Sequence, residues 1–258
     1  MIRDLLDKFT IYKLIVVILM ITIAAFSFAS AASEGGQIEG FTGHLDRDVQ
    51  EMMDHYGIPG ASIGIIEARE LRWAGFYGYA DIEEGRRITE NTYFRLESIS
   101  KSVTAWGIMK LVEDGRVDLD KPITEYIPTR SFPESRFPYD SITTRHLLTH
   151  TSGMPLRDFL DRYSPEGEVP SLRESMRKKA LPTAEPGEAF IYSNTGYNVL
   201  ELLVEEVTGR DFAAYIKETV LIPLGMENST FKWEEIPEGL VPVGYDIGGD
   251  PVESYVYP

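Results

Sequence analysis

Hydrophobic residues are distributed unevenly along the chain. Three basic residues precede an uncharged run over residues 14–32, whose densest apolar part is residues 14–28. That part is shorter than a typical membrane span, and the run ends in Ala29-Ser30-Ala31, a small-residue pattern that signal peptidases cleave. Residues 1–32 are therefore predicted to be a signal peptide or an uncleaved N-terminal membrane anchor, and residues 33–44 a flexible linker. Either alternative places the remainder outside the cytoplasm.

The remainder combines strand-like and helix-like patterns. Two apolar, β-prone runs over residues 61–67 and 71–80 predict an antiparallel hairpin. Helical spacing and capping signals predict helices over residues 46–56, 98–114, 143–149, 172–179, 195–207 and 211–220. From Pro223 onward, glycine and proline dominate and no regular element is predicted. The pattern predicts a mixed helix and sheet protein.

Composition and charge narrow the possible functions. The chain has 258 residues, of which 43% are hydrophobic and 26% charged, as in ordinary globular proteins. Removing the leader leaves roughly 225 residues, which fits one large domain or two small ones. The formal net charge of -16 would repel a phosphate backbone, so nucleic-acid binding is not expected. Because the chain has no cysteine, disulfides, thiolate metal sites and a cysteine nucleophile are excluded.

Serine-containing motifs supply the candidate nucleophiles. Residues 60–64 match G-x-S-x-G, but an apolar strand follows Ser62 where that motif needs a helix, so Ser62 is interpreted as a strand residue. The motif S-x-x-K occurs at residues 98–101 and again at 175–178. The second occurrence lies in a highly charged run, which is typical of a solvated helix face and leaves its lysine a poor base.

Ser98 lies in a more informative context. It stands at a predicted helix start, and positions i and i+3 share a helix face, so the amino group of Lys101 can reach its hydroxyl. A lysine in an apolar pocket loses basicity and can activate such a hydroxyl. The local sequence alone favours the alternative, in which Ser98 is a simple helix N-cap.

A third candidate motif is Tyr192-Ser193-Asn194. A tyrosine held near a lysine can lose its proton and act as a general base, and the amide of Asn194 can orient a lysine or a substrate amide. The alternative is a turn with Asn194 as the N-cap of the next helix. His146 and His150 have the i, i+4 spacing of a zinc pair. Leu147 stands where the zinc motif requires glutamate, so we expect no metal and assign His150 to the following turn.

Three blocks, in this order, closely resemble the serine β-lactamase-like family: residues 92–112, 144–155 and 185–226. That family includes class C β-lactamases, D-alanyl-D-alanine carboxypeptidases and related esterases. The resemblance implies an α+β fold, in which a helical domain lies beside an antiparallel sheet flanked by helices. It also implies roles for four residues: Ser98 as the acylated nucleophile, Lys101 as its activating partner, Tyr192 as general base and Asn194 as a substrate contact.

The sequence departs from the family in one respect, because neither K-T-G nor H-x-G follows Tyr192. We therefore expect a partial family domain over residues 45–258, with an incomplete sheet. The implied function is an extracytoplasmic serine hydrolase without a cofactor, acting on a small-molecule or peptide substrate with a carbonyl group. One alternative is a non-catalytic, truncated homologue that binds peptidoglycan-like peptides or a protein partner. The other is an unrelated membrane-anchored interaction module.

Overall fold

The computed structural model describes residues 34–156 and 162–257, in two compact units that divide between His55 and Tyr56. The described part of the first unit is helical: α1 spans Glu34–Tyr56, and its last residue belongs to the second unit. On this helix the Gln50 amide donates to the Asp54 carboxylate over 2.9 Å, one turn away. The prediction of a linker at residues 33–44 is corrected here, because the chain is helical from Glu34 onward. Glycines in this stretch lower helix propensity but, unlike proline, do not block the helix.

The leader predicted at residues 1–32 lies outside the described residues. No helix within the described ranges has the length and apolarity that crossing a membrane requires.

The second unit begins with the predicted β-hairpin. Strands β1 (Gly60–Glu67) and β2 (Glu70–Asp81) pair in antiparallel fashion. The two loop residues between them, Ala68 and Arg69, have φ of 51° and 70°, and such left-handed two-residue loops match the twist of the strands. A short strand β3 (Arg86–Arg87) pairs with the end of β2, giving the strand order β1-β2-β3.

A second, smaller ladder lies near the C-terminus, where the sequence predicts no regular element. Strands β4 (Gly244–Tyr245) and β5 (Pro251–Val252) pair around a turn. In that turn the Asp246 carboxylate accepts hydrogen bonds from two backbone N–H groups, at 2.8 and 3.0 Å. Two-residue strands carry no detectable periodicity, which is why the pattern does not reveal them.

The predicted helices are confirmed in the second unit. A 3₁₀ turn (Glu97–Ile99) leads directly into α2 (Ser100–Glu113), and the later helices are α3 (Thr144–Leu148), α4 (Leu172–Lys179), α5 (Asn194–Thr208) and α6 (Phe212–Ile216), which continues as a π-helical turn (Lys217–Leu221). Further 3₁₀ turns are Ile123–Glu125, Thr129–Ser131, Tyr139–Ser141, Ile222–Leu224 and Trp233–Glu235. Two caps match the prediction: Asp211 accepts from the Ala214 N–H over 2.9 Å, and Gly209 ends α5 with φ of 69°.

The hydrophobic core of this unit forms where α2 packs against α5 and α6. Fully buried side chains from these helices include Ile108, Leu111, Leu200, Leu202, Leu203 and Ile216. Helices α2 and α6 approach closely at Gly107, where a Cβ atom would lie 2.4 Å from Ile216 Cδ1. The Tyr215 hydroxyl donates to the Gly107 carbonyl over 3.0 Å. This packing holds α2 against α6, and the combination of helices with small antiparallel sheets confirms the α+β class.

Candidate active site

Ser98 lies in the 3₁₀ turn before α2, and its side chain is exposed. The Lys101 amino group, in the first turn of α2, donates to Ser98 Oγ over 3.3 Å, as the i, i+3 spacing predicts. Ser98 is not a helix cap: the residues at the N-cap positions are Leu96 and Ile99, and neither makes a side-chain capping bond. The Ser98 hydroxyl is therefore available for chemistry.

Tyr192 reaches the same hydroxyl from a distant part of the chain. Its phenol donates to Ser98 Oγ over 2.8 Å, and the Tyr192 residue is 36% exposed. Tyr192 stands two residues before α5, and the first turn of that helix is capped by Ser193, whose Oγ accepts from the Gly196 N–H over 2.8 Å. The same Oγ donates to the Pro155 carbonyl over 2.9 Å. We call residues 191–193 the tyrosine loop. The Ser193 cap connects the end of this loop to Pro155, in the loop after α3.

Asn194 is not the N-cap that the sequence offered as an alternative. It is the first residue of α5, because Ser193 occupies the capping position. The Asn194 side-chain Oδ1 is buried and has no hydrogen-bond partner within the described residues. Buried polar atoms are normally paired, so this unpaired acceptor is an exception.

His150 holds the segment that carries Tyr192. Its carbonyl accepts from the Ile191 N–H over 2.8 Å, and its Nδ1 accepts from the Ser193 N–H over 3.0 Å. The imidazole and Tyr192 ring centroids are 4.4 Å apart. Burial, and next the positive charge of Lys101, lower the pKa of His150, which keeps Nδ1 a neutral acceptor. Sequence reasoning gave His150 a role only in the following turn, because its contacts with residues 191–193 leave no local signal.

The turn after His150 supports the same segment. The Gly187 N–H donates to the Thr151 carbonyl over 2.7 Å, and the Thr183 N–H to the Gly153 carbonyl over 2.8 Å. Gly153 has φ of 73°, and a Cβ atom there would lie 2.1 Å from the Ala184 carbonyl oxygen. Glycine is the one residue type that fits without strain or displacement. The predicted turn at residues 151–153 therefore supports residues 183–193 through backbone hydrogen bonds, and we call this turn the platform.

The charge of Lys101 is surrounded by aromatic rings. Its Nζ lies 5.2 Å from the centroid of the Tyr192 ring and 5.5 Å from that of Tyr197. Aromatic faces attract cations at such distances. Burial, and then the neighbouring Tyr192, raise the pKa of Tyr197, whose hydroxyl donates to the Leu148 carbonyl over 3.3 Å. Two tyrosine rings thus lie close to the lysine amino group.

The other candidate serines lie elsewhere. Ser62 is a residue of strand β1, opposite Phe76 on β2, as predicted. Ser175 was expected on a solvated helix face, and this expectation is wrong: the residue is 3% exposed. Its neighbour Met176 is also buried, because α4 turns these two positions toward the core while Lys178 stays in solvent.

The two spaced histidines have separate structural contacts. His146 Nδ1 accepts from the Thr143 N–H over 3.4 Å, while Thr143 Oγ1 accepts from the His146 N–H over 3.2 Å. These bonds form a capping box at the start of α3. Within the described ranges, no three histidine, aspartate or glutamate residues come together as a metal site would need.

Sequence comparisons find proteins similar to this chain. Residues 45–254 match the family model described as beta-lactamase. Penicillin-binding protein 4* of Bacillus subtilis (strain 168) is 31% identical over 204 residues, which cover 74% of this chain and 43% of that protein. Protein flp of Staphylococcus aureus (strain MW2) is 29% identical over 215 residues, covering 81% of this chain and 42% of its own length. The chain thus spans less than half the length of these curated relatives.

Solved structures show the same relationship. The octameric penicillin-binding protein homologue from Pyrococcus abyssi superposes with a TM-score of 0.67 at 34% identity, over 82% of this chain and 50% of that one. EstCE1, described as a hydrolase with promiscuous acyltransferase activity, gives 0.70 at 26% identity, over 84% of this chain and 59% of its own. A class C beta-lactamase, at 24% identity, gives 0.69 over 88% and 60% and shows the shared fold. The chain belongs to the beta-lactamase family.

Proposed function

We propose that this chain is an extracytoplasmic serine hydrolase that forms an acyl-enzyme at Ser98 with amide or ester substrates. One observation carries the proposal: the Ser98 hydroxyl contacts two titratable groups, the Tyr192 phenol at 2.8 Å and the Lys101 amino group at 3.3 Å. A serine nucleophile needs an adjacent base within hydrogen-bond reach, and that base needs a third group beside it. Tyr192 is the base in this scheme, and Lys101 is the charge beside it.

Before the first step, the Tyr192 phenol loses its proton to solvent water. Ser98 Oγ then attacks the substrate carbonyl carbon, and the serine hydroxyl proton passes to the Tyr192 oxygen. The positive charge of Lys101 stabilises negative charge on that oxygen. The backbone N–H of Ser98 is a donor for the tetrahedral oxyanion. When the intermediate collapses, the leaving group takes the proton from Tyr192 and the acyl group remains on Ser98 as an ester.

In the second step, the same base works on water. A water molecule gives a proton to Tyr192 as it attacks the acyl carbon, and the departing Ser98 oxygen then takes that proton from Tyr192. The Tyr192 residue is 36% exposed, which supports access of water to the site without a change in the fold. The exposure of Tyr192 supports hydrolysis as the fate of the acyl group.

A substrate contact is proposed at Asn194, whose side-chain oxygen is an unpaired hydrogen-bond acceptor. Its buried Oδ1 has no partner within the described residues, and pairing such an atom with a substrate N–H recovers the hydrogen bond that burial removed from it. The relatives named above include penicillin-binding proteins and a hydrolase with acyltransferase activity. A β-lactam, a peptide amide and an ester are therefore the substrate classes to test. The apolar run at residues 14–32 supports a location outside the cytoplasm.

Covalent labelling tests the proposal directly. The full chain is incubated with a fluorescent penicillin and, separately, with a fluorophosphonate, and the modified residue is mapped by mass spectrometry. We expect the label on Ser98, no label on the Ser98→Ala variant, and unchanged labelling of Ser62→Ala, which alters an exposed strand serine. Tyr192→Phe should slow labelling by about 10²- to 10⁴-fold, the usual contribution of a general base.

Turnover of nitrocefin, a D-alanyl-D-alanine peptide and p-nitrophenyl acetate then identifies the substrate class. Labelling that persists in Ser98→Ala would contradict the proposal. So would a well-folded chain that neither labels nor turns over any of the three compounds. The latter result would instead support the non-catalytic alternative, in which the same site binds peptides without cleaving them.

A further inference from the structure

The residue before the nucleophile has an unusual backbone conformation. Glu97 has φ of 45°, in the left-handed region that side chains other than glycine rarely occupy. Such a residue persists only where surrounding contacts hold it. Because Glu97 directly precedes Ser98, its φ angle sets the direction in which the chain enters the 3₁₀ turn and presents the serine hydroxyl.

The Glu97 side chain is held by two hydrogen bonds. Its Oε1 accepts from the Tyr255 hydroxyl over 3.1 Å and from Arg95 Nε over 3.2 Å. Arg95 in turn lies over the Tyr255 ring, 4.2 Å from its centroid, and donates to the Tyr255 carbonyl. Glu97, Arg95 and Tyr255 thus form a closed set of contacts, which we call the Glu97 clamp.

Tyr255 is itself held firmly in place. The guanidinium of Arg162 lies 4.1 Å from the centroid of its ring, so two cations contact this one aromatic side chain. The next residue, Val256, exchanges two backbone hydrogen bonds with Tyr163, at 3.0 and 2.8 Å. Burial raises the pKa of Tyr255 to about 12, so its phenol remains a donor at neutral pH. The C-terminal segment therefore presents a fixed hydroxyl to Glu97.

We propose that Tyr255 is a positioning residue for the nucleophile. Its hydroxyl holds Glu97 in the left-handed conformation, and this keeps Ser98 Oγ within reach of Tyr192 and Lys101. The inference rests on the proposed function of Ser98. It adds a role for the C-terminal segment, more than 150 residues away along the chain, which touches the nucleophile's turn but takes no part in the chemistry.

The Tyr255→Phe variant tests this role, because it keeps the ring between its two guanidinium groups and removes only the hydroxyl. We expect kcat for p-nitrophenyl acetate to fall by roughly 10- to 100-fold, the range that follows from a misplaced reacting group, with little change in KM. Tyr245→Phe is the matched control. It removes the acceptor of a 2.8 Å hydrogen bond from the Ile82 N–H, in the same C-terminal region, and should leave kcat unchanged.

A second background separates positioning from a general loss of packing. Glycine adopts a positive φ without strain, so in a Glu97→Gly chain the turn no longer depends on the clamp. In that background, adding Tyr255→Phe should leave kcat unchanged. The inference is overturned if Tyr255→Phe behaves like Tyr245→Phe in the natural chain. It is also overturned if Tyr255→Phe lowers kcat by the same factor in both backgrounds.

An activity-independent readout keeps the inference testable if Ser98 proves not to be a nucleophile. The Ile99 N–H donates to the Leu96 carbonyl over 3.0 Å within the turn, so its exchange with solvent reports on the turn's integrity. Amide hydrogen exchange over residues 93–101 should accelerate at least severalfold in Tyr255→Phe but not in Tyr245→Phe. Equal exchange in the two variants would overturn the clamp, whereas absent labelling with accelerated exchange would overturn only the proposed function.

Discussion

Gly153→Ala tests the platform beneath Tyr192. At this position φ is 73°, and a Cβ atom would lie 2.1 Å from the Ala184 carbonyl oxygen. Two separate penalties follow, one from the left-handed backbone and one from the steric overlap. The overlap is with backbone rather than a flexible side chain, so residues 183–184 must move for the methyl group to fit. Such a movement breaks or stretches the 2.8 Å bond from the Thr183 N–H to the Gly153 carbonyl.

The expected loss of stability follows from comparing Gly153 with a glycine that has the same left-handed backbone conformation but open space where a Cβ atom would lie. Gly209 has φ of 69° and nothing within 4 Å of a Cβ atom. Gly209→Ala should therefore lower the free energy of unfolding by about 1–2 kcal/mol, the left-handed penalty alone. Gly153→Ala adds overpacking, which typically costs about 1–3 kcal/mol more. The predicted total for Gly153→Ala is about 2–5 kcal/mol.

Urea denaturation of both variants measures the difference between their free energies of unfolding. Labelling of Ser98 by a fluorophosphonate measures whether the displacement at residues 183–184 also affects the active site. At about 2–4 °C per kcal/mol for a domain of this size, the melting temperatures of the two variants should differ visibly. Gly153→Ala should also label more slowly than Gly209→Ala at a temperature where both are folded. Equal destabilisation of the two variants would refute the close approach of residues 153 and 184, and equal labelling rates would refute its link to Tyr192.

Four further outcomes are expected. Leu203→Ala, at a fully buried position in α5, should cost about 2–5 kcal/mol in urea denaturation. Ser193→Ala removes a cap worth about 1 kcal/mol and should also slow Ser98 labelling, because Ser193 anchors the tyrosine loop. Folding lowers the pKa of His150, so its contribution to stability is complete above the unfolded value of about 6.5 and falls as the pH drops below it; His150→Gln should flatten that dependence. The hydrogen bond from Arg145 lowers the pKa of Asp120, so the ionised carboxylate stabilises the fold above about pH 4. Asp120→Asn should therefore be less stable than the natural chain above that pH, and the two stabilities should converge as the pH falls through the lowered pKa.

Elements with strong local signals could be predicted from the sequence. The hairpin between residues 60 and 81 combines two β-prone runs with a short loop, and the helices α2 to α6 carry apolar spacing, caps or terminal glycines. The i, i+3 contact of Ser98 with Lys101 is equally local, since helix geometry alone brings the two side chains together. These predictions succeeded because the deciding interactions lie within one or two turns of chain and carry a clear sequence signal.

Elements decided by tertiary contacts could not be predicted in the same way. The burial of Ser175 depends on which face of α4 meets the core, and its highly charged neighbours conceal that face. Helix α1 is a different case, because its first turns cover a glycine-rich stretch whose composition favours a linker. The contacts of His150 with residues 191–193 join chain segments about 40 residues apart, so no spacing rule detects them.

The same distinction separates Ser98 from the chain's other candidate serines. A hydroxyl and an amino group three residues apart are common on helices, and the structure places the second such motif on α4, with Ser175 turned to the core and Lys178 to solvent. What sets Ser98 apart is its hydrogen bond with Tyr192, 94 residues away. Tyr192 is held in place because His150 accepts hydrogen bonds from the backbone N–H groups of the residues before and after it. The reactivity of Ser98 should therefore follow the integrity of this remote support at least as closely as it follows the local motif. Variants of His150 that leave residues 98–101 untouched are expected to slow labelling of Ser98 as surely as variants of its immediate neighbours.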